Sequence, residues 1–261
     1  MSALPDWLLP LLRCPETGLA FRSAAGGLVR ADGRLFSDRA GIASLAFPAQ
    51  PAGGDGEWNR FYDRIAPYYD FVERVIGRAL TGVDMTRGRQ EIVDLLGLRP
   101  ALPPNTRLLE VSPGPGVFQP LLRRAVGEAA EIAALDLSLG MLRQCRLRHD
   151  NLGVALIHGN AQHLPFAEAS FDALFHFGGV NLFNDPERAL GEFARVVRPG
   201  GILAWGDERM STRYRHPLGR RLLPRLNPGF RKTPPAPPPF LSETRTHEVY
   251  GGLGYLVVAR R

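Results

Sequence analysis

The segment from Leu108 to Leu122 constrains the fold of this chain more than any other part of it. It reads LLEVSPGPGVFQPLL: an apolar run ends at Glu110, a turn rich in glycine and proline follows, and the pattern then becomes helical. A buried parallel strand that enters a helix through such a turn builds a nucleotide-type pocket at the carboxyl end of the strand. Gly114 and Gly116 lack a Cβ, so the backbone there can approach a ligand closely and adopt a positive φ.

The chain continues as alternating strand-like and helix-like segments. About 20 residues after the turn, the apolar segment 132–135 ends at Asp136, where a dinucleotide fingerprint expects a carboxylate for ribose hydroxyls. Ser112 stands where that fingerprint has its first glycine, so the fingerprint itself is incomplete. The alternation predicts an α/β fold. Its further strands are predicted at 154–157, 171–175, 202–206, 244–250 and 254–259, and its helices at 57–82, 84–96 and 186–197.

Four sequence blocks together carry a family resemblance. LLEVSPGPG, LDLS, GNAQHLPFAEASFDALF and FARVVRPGGIL resemble, in this order, the class I S-adenosylmethionine-dependent methyltransferases, over roughly residues 57–208. The lead-in at 61–70, FYDRIAPYYD, and the fourth-strand exit at 177–181, FGGVN, are similar to those of ubiquinone/menaquinone C-methyltransferases. The resemblance implies a Rossmann-like fold with helices on both faces of a mostly parallel seven-stranded sheet. It also implies S-adenosylmethionine as the cofactor.

The resemblance assigns cofactor-binding roles to residues of the glycine-rich turn and of the next strand. Gly114 and Gly116 admit the methionine end of the cofactor, while Glu110 helps to fix the turn. Asp136 accepts both ribose hydroxyls. The hydroxyl of Ser112 either bonds the cofactor carboxylate or is a neutral replacement for glycine.

Other candidate residues surround the adenine and the sulfonium. Asn160 and Ala161 match a position that commonly holds an acidic residue contacting the adenine amine, and an asparagine carbonyl oxygen can still accept that bond. The remaining candidates are Leu137 and Met141 beside the adenine, Phe177 and Gly178 beside the sulfonium, and Tyr62 and Tyr69 in the lead-in. The two tyrosines either line the cofactor and acceptor pocket or act as aromatic staples against the sheet.

The sequence leaves several candidates for the general base. His176, at the end of the fourth strand, is the best-placed titratable group, because histidine can take a proton near neutral pH. A histidine packed under the edge of the sheet is the alternative. Glu208 ends the fifth strand, where sheets of this type place ligand groups, and His163 and Asp207 are further candidates. Methyl transfer to an enolate or a phenolate needs only weak assistance, so a missing base is tolerable.

Residues 1–50 form a predicted small N-terminal unit, joined by the linker 48–56 to the methyltransferase-like part, 57–261. The unit contains a probable hairpin, 28–30 with 34–36, and is similar to the zinc-ribbon-like domain of tRNA methyltransferase activators. Cys14 keeps its position in the CPxCG knuckle, but Thr17 stands where the second ligand belongs. Four zinc ligands cannot be assembled from one cysteine. We therefore expect a metal-free unit that serves packing or substrate cover.

The stretch from Arg209 to Lys232 has eight cationic side chains and no acidic one, and prolines dominate 233–239. This basic, proline-rich insertion (209–243) is either a solvated cover over the active-site face or a docking patch for phosphate, RNA or an anionic membrane. The net charge of +6 rests almost entirely on arginine, which is typical of a GC-rich genome.

The leading hypothesis is a cytoplasmic methyltransferase that acts on oxygen or carbon of a quinone-like, aromatic or secondary-metabolite acceptor. Two cysteines fit a reducing compartment. No apolar run approaches the ~20 residues of a membrane span, and the N-terminus lacks the charged region of a signal peptide. The alternatives are a tRNA or rRNA methyltransferase, and a non-methylating cofactor-binding member that catalyses another reaction such as a cyclisation.

Overall fold

The computed structural model describes residues 4–39, 42–69, 81–98, 103 and 105–261. Eleven strands are described: β1 (Phe21–Ala24), β2 (Gly27–Arg30), β3 (Leu35–Arg39), β4 (Ile42–Ser44), β5 (Arg107–Val111), β6 (Glu131–Asp136), β7 (Val154–His158), β8 (Phe171–Phe177), β9 (Val197–Glu208), β10 (Ser242–Val249) and β11 (Gly254–Arg260). The described α-helices are α1 (Gly53–Ile65), α2 (Met85–Leu95), α3 (Gln119–Val126), α4 (Leu139–His149), α5 (Pro186–Val196) and α6 (Pro217–Leu226). Most of the second half of the predicted helix 57–82 lies outside the described residues.

All described strands join one sheet in the order β1-β2-β3-β4-β7-β6-β5-β8-β9-β11-β10. The strands from β4 to β9 in this order run parallel, and β11 runs antiparallel to both β9 and β10. The predicted seven strands are therefore present, with β4 as an eighth strand beyond β7. The order of the strands reverses between β5 and β8, and such a switch point opens a ligand crevice at the carboxyl ends of the strands.

The two faces of the sheet bury different apolar clusters. Leu109 and Val111 of β5 pack with Phe193 of α5 on one face, whereas Leu108 packs with Ile92 of α2 on the other. Successive residues of a strand point to opposite faces, so β5 is covered on both sides. This burial explains its nearly continuous apolar sequence, and it confirms the predicted helices on both faces.

The N-terminal unit is built onto the edge of this sheet. Its predicted hairpin is confirmed by the antiparallel pairing of β2 with β3, and β4 pairs in parallel with β7. Leu8, Leu12 and Leu28 belong to the same apolar cluster as Leu135 and Ile157 of the central strands. The division of the chain at residue 50 stays a prediction, and the two parts share one sheet and one core.

Cys14 lies beside a guanidinium in this unit. Its buried Sγ accepts a hydrogen bond from Arg30 Nη1 at 3.1 Å, and Arg30 also contacts Asp32 at 2.6 Å and Glu16 at 3.2 Å. Burial raises the pKa of the Cys14 thiol, but hydrogen bonds from Thr17 and Arg30 and from the backbone outweigh it, so the net pKa is lowered. Within the described ranges, no group of three or more His, Cys, Asp or Glu residues could hold a metal ion.

The basic insertion is folded against the sheet and is partly exposed. Gly219 and Leu223 of α6 are buried, and Tyr214 is 4% exposed with its hydroxyl donating to the carbonyl of Thr81 at 2.9 Å. The proline-rich stretch that follows forms neither helix nor strand over residues 233–239. None of the helices in the described part of the chain has both the length and the apolar content needed to span a bilayer.

Candidate functional site

A cleft opens at the switch point of the sheet, beyond the carboxyl ends of β5, β6, β8 and β9. It encloses an empty volume of about 930 Å³, with the solvent at its mouth included. The turn after β5 and the helix α1 form two of its walls. Glu208, the last residue of β9, lies at the same cleft. The cleft is therefore where the fold places ligands in open α/β sheets.

The glycine-rich turn is held in a left-handed conformation. Ser112 has φ 57° and Gly114 has φ 55°, and Ser112 N donates to the carbonyl of Leu135 at 2.7 Å, which joins the turn to β6. A Cβ built on Gly114 would meet nothing within 4 Å. Both residues line the cleft, so this turn leaves open space beside exposed backbone.

Gly116 lies behind the turn and away from the cleft, so its predicted place beside the cofactor stays a prediction. A Cβ there would stand 2.7 Å from His149 Cδ2 and 2.8 Å from Cys145 Sγ, both on α4. Gly116 is not among the residues that line the cleft. It is glycine because its φ of 86° and the close approach of α4 leave no room for a side chain.

Asp136 ends β6 at the floor of the cleft, as the sequence predicts. Its Oδ2 accepts from Gly114 N at 3.0 Å and its Oδ1 accepts from Ser138 N at 2.8 Å. Burial raises the pKa of Asp136 to about 6 against the lowering effect of these two hydrogen bonds, and Asp63 raises it further. The carboxylate is thus held in one orientation, and each oxygen keeps a lone pair for a ligand hydroxyl.

Glu110 lies behind the turn and not in the cleft. Its buried carboxyl accepts a hydrogen bond from the side-chain amide of Gln119, the first residue of α3. Burial, and then the charge of Asp136, raise the pKa of Glu110 to about 8, although the Gln119 bond acts in the opposite direction. At neutral pH this carboxyl is therefore mostly protonated. Its hydrogen bond with Gln119 connects β5 to the start of α3. A residue that fixes the turn between these two elements must lie at such a position.

The predicted adenine and sulfonium residues divide into two groups. Leu137, Met141, Phe177 and Gly178 line the cleft. Asn160 and Ala161 are buried outside it, and their predicted contact with adenine stays a prediction. Asn160 Oδ1, the oxygen expected to accept from adenine, instead accepts from Gln162 N at 2.9 Å and closes the turn after β7.

Tyr62 and Tyr69 line the cleft, so the pocket alternative for these tyrosines fits the structure. Burial raises the pKa of Tyr62 well above 10, and the nearby Tyr69, Glu208, Asp207 and Asp136 raise it further. The Tyr62 hydroxyl is therefore a neutral group close to the acidic end of β9.

His176 lies away from the cleft, so the alternative of a histidine packed under the edge of the sheet fits the structure better than the predicted base. It is 0% exposed and does not line the cleft. Its ring packs between Phe183 and Phe193, and its Nδ1 makes a hydrogen bond to the carbonyl of Val111 at 3.0 Å. Burial lowers the pKa of His176, so the ring is neutral. His163 also lies outside the cleft, where it contacts Arg188 at 3.1 Å.

Glu208 is the predicted base candidate that does reach the cleft. Asp207 beside it is fully buried, and its carboxylate accepts from Asn181 N at 2.6 Å and from Glu208 N at 2.7 Å. Asn181 Nδ2 in turn donates to the carbonyl of Glu208 at 2.9 Å, and its Oδ1 accepts from Tyr255 at 3.0 Å. Burial and the charge and hydrogen bond of Asp207 raise the pKa of Glu208 well above its ordinary value.

Comparison with known proteins identifies the central part of the chain. Residues 109–205 match the family described as "Methyltransferase domain". A demethylmenaquinone methyltransferase from Renibacterium salmoninarum is 36% identical over 142 residues, which are 54% of this chain and 54% of that protein. Residues 109–205 of this chain form a methyltransferase domain. The chain spans about half the length of the curated relatives that it matches.

Solved structures share the fold of this methyltransferase domain. A SAM-dependent methyltransferase from Aquifex aeolicus superimposes with a TM-score of 0.50 at 21% identity, covering 67% of this chain and 93% of its own. The 4+2 cyclase SpnF does so with a TM-score of 0.52 at 21% identity, covering 81% and 98%. At such identities the likeness shows the fold alone, and proteins of different activity use it.

The methyltransferase domain has a cleft wall that the sequence did not indicate. Asp55, Trp58 and Asn59 line the cleft from α1, and Asp55 accepts from Gln162 Nε2 at 2.5 Å, which fixes α1 over the sheet. The spacing of these residues from Tyr62, at three, four and seven positions, places all four on one helix face. That spacing was the available signal for this wall.

The cleft of the methyltransferase domain fits S-adenosylmethionine. Gly114 leaves open space, Asp136 presents an oriented carboxylate, and aliphatic Leu137 and Met141 stand beside it. Asn59 Oδ1 is buried and has no hydrogen-bond partner among the described residues, so a donor group of a ligand can occupy that position. These features match the ribose, the flat apolar adenine and the amino groups of such a molecule.

Proposed function

We propose that this protein transfers the methyl group of S-adenosylmethionine to oxygen or carbon of a small, largely apolar acceptor in the cytoplasm. Quinone-like, aromatic and secondary-metabolite acceptors fit this proposal. The observation that carries it is the cleft at the switch point, where Gly114 and the oriented carboxylate of Asp136 meet. When bound, the cofactor supplies an electrophilic methyl group on a sulfonium.

The protein's main task in such a reaction is to hold two molecules in line. Positioning of this kind can contribute ~7–11 kcal/mol of the barrier reduction. Asp136 fixes the ribose, and the turn at Gly114 leaves the methionine end close to the backbone. Trp58, Phe177 and Phe183 line the cleft with aromatic surface, which excludes water and suits a flat apolar acceptor.

Glu208 and Asp207 form the group that can manage the acceptor's proton. One carboxyl of this buried pair is protonated, because two adjacent carboxylates cannot both ionise easily. An acceptor hydroxyl can pass its proton to Glu208 while Glu208 passes its own proton to Asp207. The oxygen left on the acceptor then carries the electron pair that attacks the methyl carbon. A carbon acceptor can use the same transfer from its ring hydroxyl: the ring carbon attacks the methyl carbon, and the proton that this ring carbon then loses replaces the one taken from the hydroxyl.

Binding of the cofactor is the first test. Isothermal titration of the full chain with S-adenosylmethionine and with S-adenosylhomocysteine should show both binding. Asp136→Asn should weaken both at least tenfold, because charge-assisted hydrogen bonds contribute ~1.5–3 kcal/mol each and the amide nitrogen would also face one of the two backbone donors, Gly114 N or Ser138 N. Asp150→Asn, at an exposed turn after α4, is the matched control. Absence of binding at millimolar concentration by the wild type would refute the proposal.

Turnover is the second test. The full chain is incubated with cofactor and with hydroquinones, phenols and apolar acids, and mass spectrometry identifies any methylated product. Glu208→Gln should lower kcat and change the pH profile while cofactor affinity stays the same. Binding of the cofactor without S-adenosylhomocysteine release for any acceptor would favour a second candidate, a cyclisation. Ser112 in place of the first glycine favours that candidate, and the fold that this chain shares with SpnF is compatible with it.

A further inference from the structure

The basic insertion presents a continuous cationic stretch of chain. From Arg209 to Ser242 the sequence has eight cationic side chains and no acidic one. Arg213, Arg215 and Arg221 are exposed. Among the described residues none of these three takes part in an ion pair. Their positive charge is therefore available to an anionic partner.

Large apolar side chains stand among these arginines on α6. Leu218 is 56% exposed and Leu226 is 65% exposed, although a leucine usually avoids water. Arg221 and Arg225 follow Leu218 by three and seven positions, so the leucine and the two arginines lie on one face of the helix. The buried Leu223 anchors the opposite face in the core. One helix thus shows a mixed arginine and leucine surface while its other side is fixed.

The basic stretch that carries this surface begins and ends close to the cleft. Glu208 lines the cleft, and Arg209 follows it in the chain. The end of the basic stretch returns to the same place, because Lys232 Nζ donates to the carbonyl of Asn181 at 2.6 Å. Asn181 precedes Leu182, which is a cleft residue. Both ends of the basic stretch that carries α6 are therefore fixed next to the cleft.

We propose that the exposed face of α6 and its flanking arginines dock the protein on a membrane that contains anionic lipids. Guanidinium groups match lipid phosphates, and each cation near such a surface contributes substantially to binding. Leu218 and Leu226 can enter the boundary between headgroups and acyl chains, as in amphipathic interfacial helices. Docking there would place the cleft where apolar molecules are concentrated.

The same observations disfavour RNA as the partner. Proteins that bind single-stranded nucleic acid stack bases on exposed aromatic rings between their cationic residues. The aromatic residue closest to these arginines, Tyr214, is 4% exposed and its hydroxyl is bonded within the protein. The exposed apolar residues of α6 are aliphatic. Aliphatic side chains partition into lipid and give bases no stacking surface.

The experiment measures how the full chain sediments with vesicles in the absence of cofactor. Vesicles of phosphatidylcholine with one third phosphatidylglycerol are compared with vesicles of pure phosphatidylcholine, at low and at high salt. We expect binding to the anionic vesicles alone, with a steep loss at high salt because exposed charges are screened. No vesicle binding, equal binding to both vesicle types, or retention by tRNA without vesicle binding would overturn the proposal.

Two double variants separate the charge from the apolar contact. R221Q/R225Q should lower the vesicle partition coefficient about thirtyfold. L218S/L226S should lower it about tenfold, since each leucine loses part of its transfer into lipid. The matched control, R143Q/L147S, removes an exposed arginine and an exposed leucine from α4 and should bind like the wild type.

Folding and function are monitored separately. Circular dichroism and S-adenosylmethionine titration show whether each variant keeps its fold and its cleft. Folded α6 variants that bind anionic vesicles as tightly as the control would refute the docking surface. Vesicle binding is measured without turnover, so this result stands apart from any failure of the methyl transfer itself.

Discussion

Ser112 holds a backbone conformation that a glycine would hold at lower cost. Its φ of 57° lies in the left-handed region, where a residue with a Cβ loses ~1–2 kcal/mol. Within the described part of the chain, its hydroxyl has no hydrogen-bond partner that would compensate for this cost. Glycine relieves this backbone strain, but it also increases the conformational entropy of the unfolded chain, which cancels ~0.5–1 kcal/mol of the gain in the free energy of unfolding. Ser112→Gly should therefore stabilise the protein by ~0.5–1 kcal/mol.

The assay is thermal unfolding followed by circular dichroism at neutral pH. A domain of this size should gain ~1–4 °C in Tm. Ser112→Ala removes the hydroxyl and keeps the Cβ, so it should melt near the wild type or slightly below it. Equal Tm values for the glycine and alanine variants would refute the argument from backbone strain. Cofactor titration of the same pair shows whether the hydroxyl bonds the donor, since both variants would then bind more weakly.

Four further variants test the assignments around the turn and the sheet. G116A should lower the free energy of unfolding by at least ~2 kcal/mol, because the new Cβ meets α4. G114A should lower it by ~1 kcal/mol and mainly weaken cofactor binding. Denaturant unfolding and cofactor titration measure both variants. E110Q should gain stability relative to the wild type as pH rises from about 5 to 8. Burial raises the pKa of Glu110 to about 8 in the folded protein, so over this range the folded wild type keeps a proton that its unfolded form loses. The wild type therefore becomes less stable as the pH rises, and the glutamine variant does not. H176N should leave the pH profile of turnover unchanged, and a shifted acid limb would show that the ring takes part in the reaction.

The strand pattern was sufficient to predict the floor of the cleft. An apolar strand followed by a glycine-rich turn placed Gly114, and an acidic residue at the tip of the next strand placed Asp136. Both predictions depend on neighbouring parallel strands that end at one edge, which is a property of the backbone. The prediction of Gly114 and Asp136 at the cleft therefore does not depend on the side chains that surround the cleft.

The predicted site residues that the structure places away from the cleft share a different cause. His176 alternates with Phe175 and Phe177 along β8, and the two phenylalanines pack beside Phe118, so the histidine must face the opposite side. A strict reading of the period of two would have placed it in the core. Gly116 and the α1 wall could not be predicted in this way. Contacts between distant segments decide the position of α4 behind Gly116 and of α1 over the cleft.

The pairing of β4 with β7 has a consequence for any shortened form of this protein. A chain that starts after residue 50 would expose the free amides and carbonyls of β7, and an uncovered strand of this kind recruits another molecule by strand addition. Such a truncated protein should oligomerise or precipitate even though every cleft residue named above remains. The N-terminal unit therefore covers the edge of β7, and this role is independent of any metal.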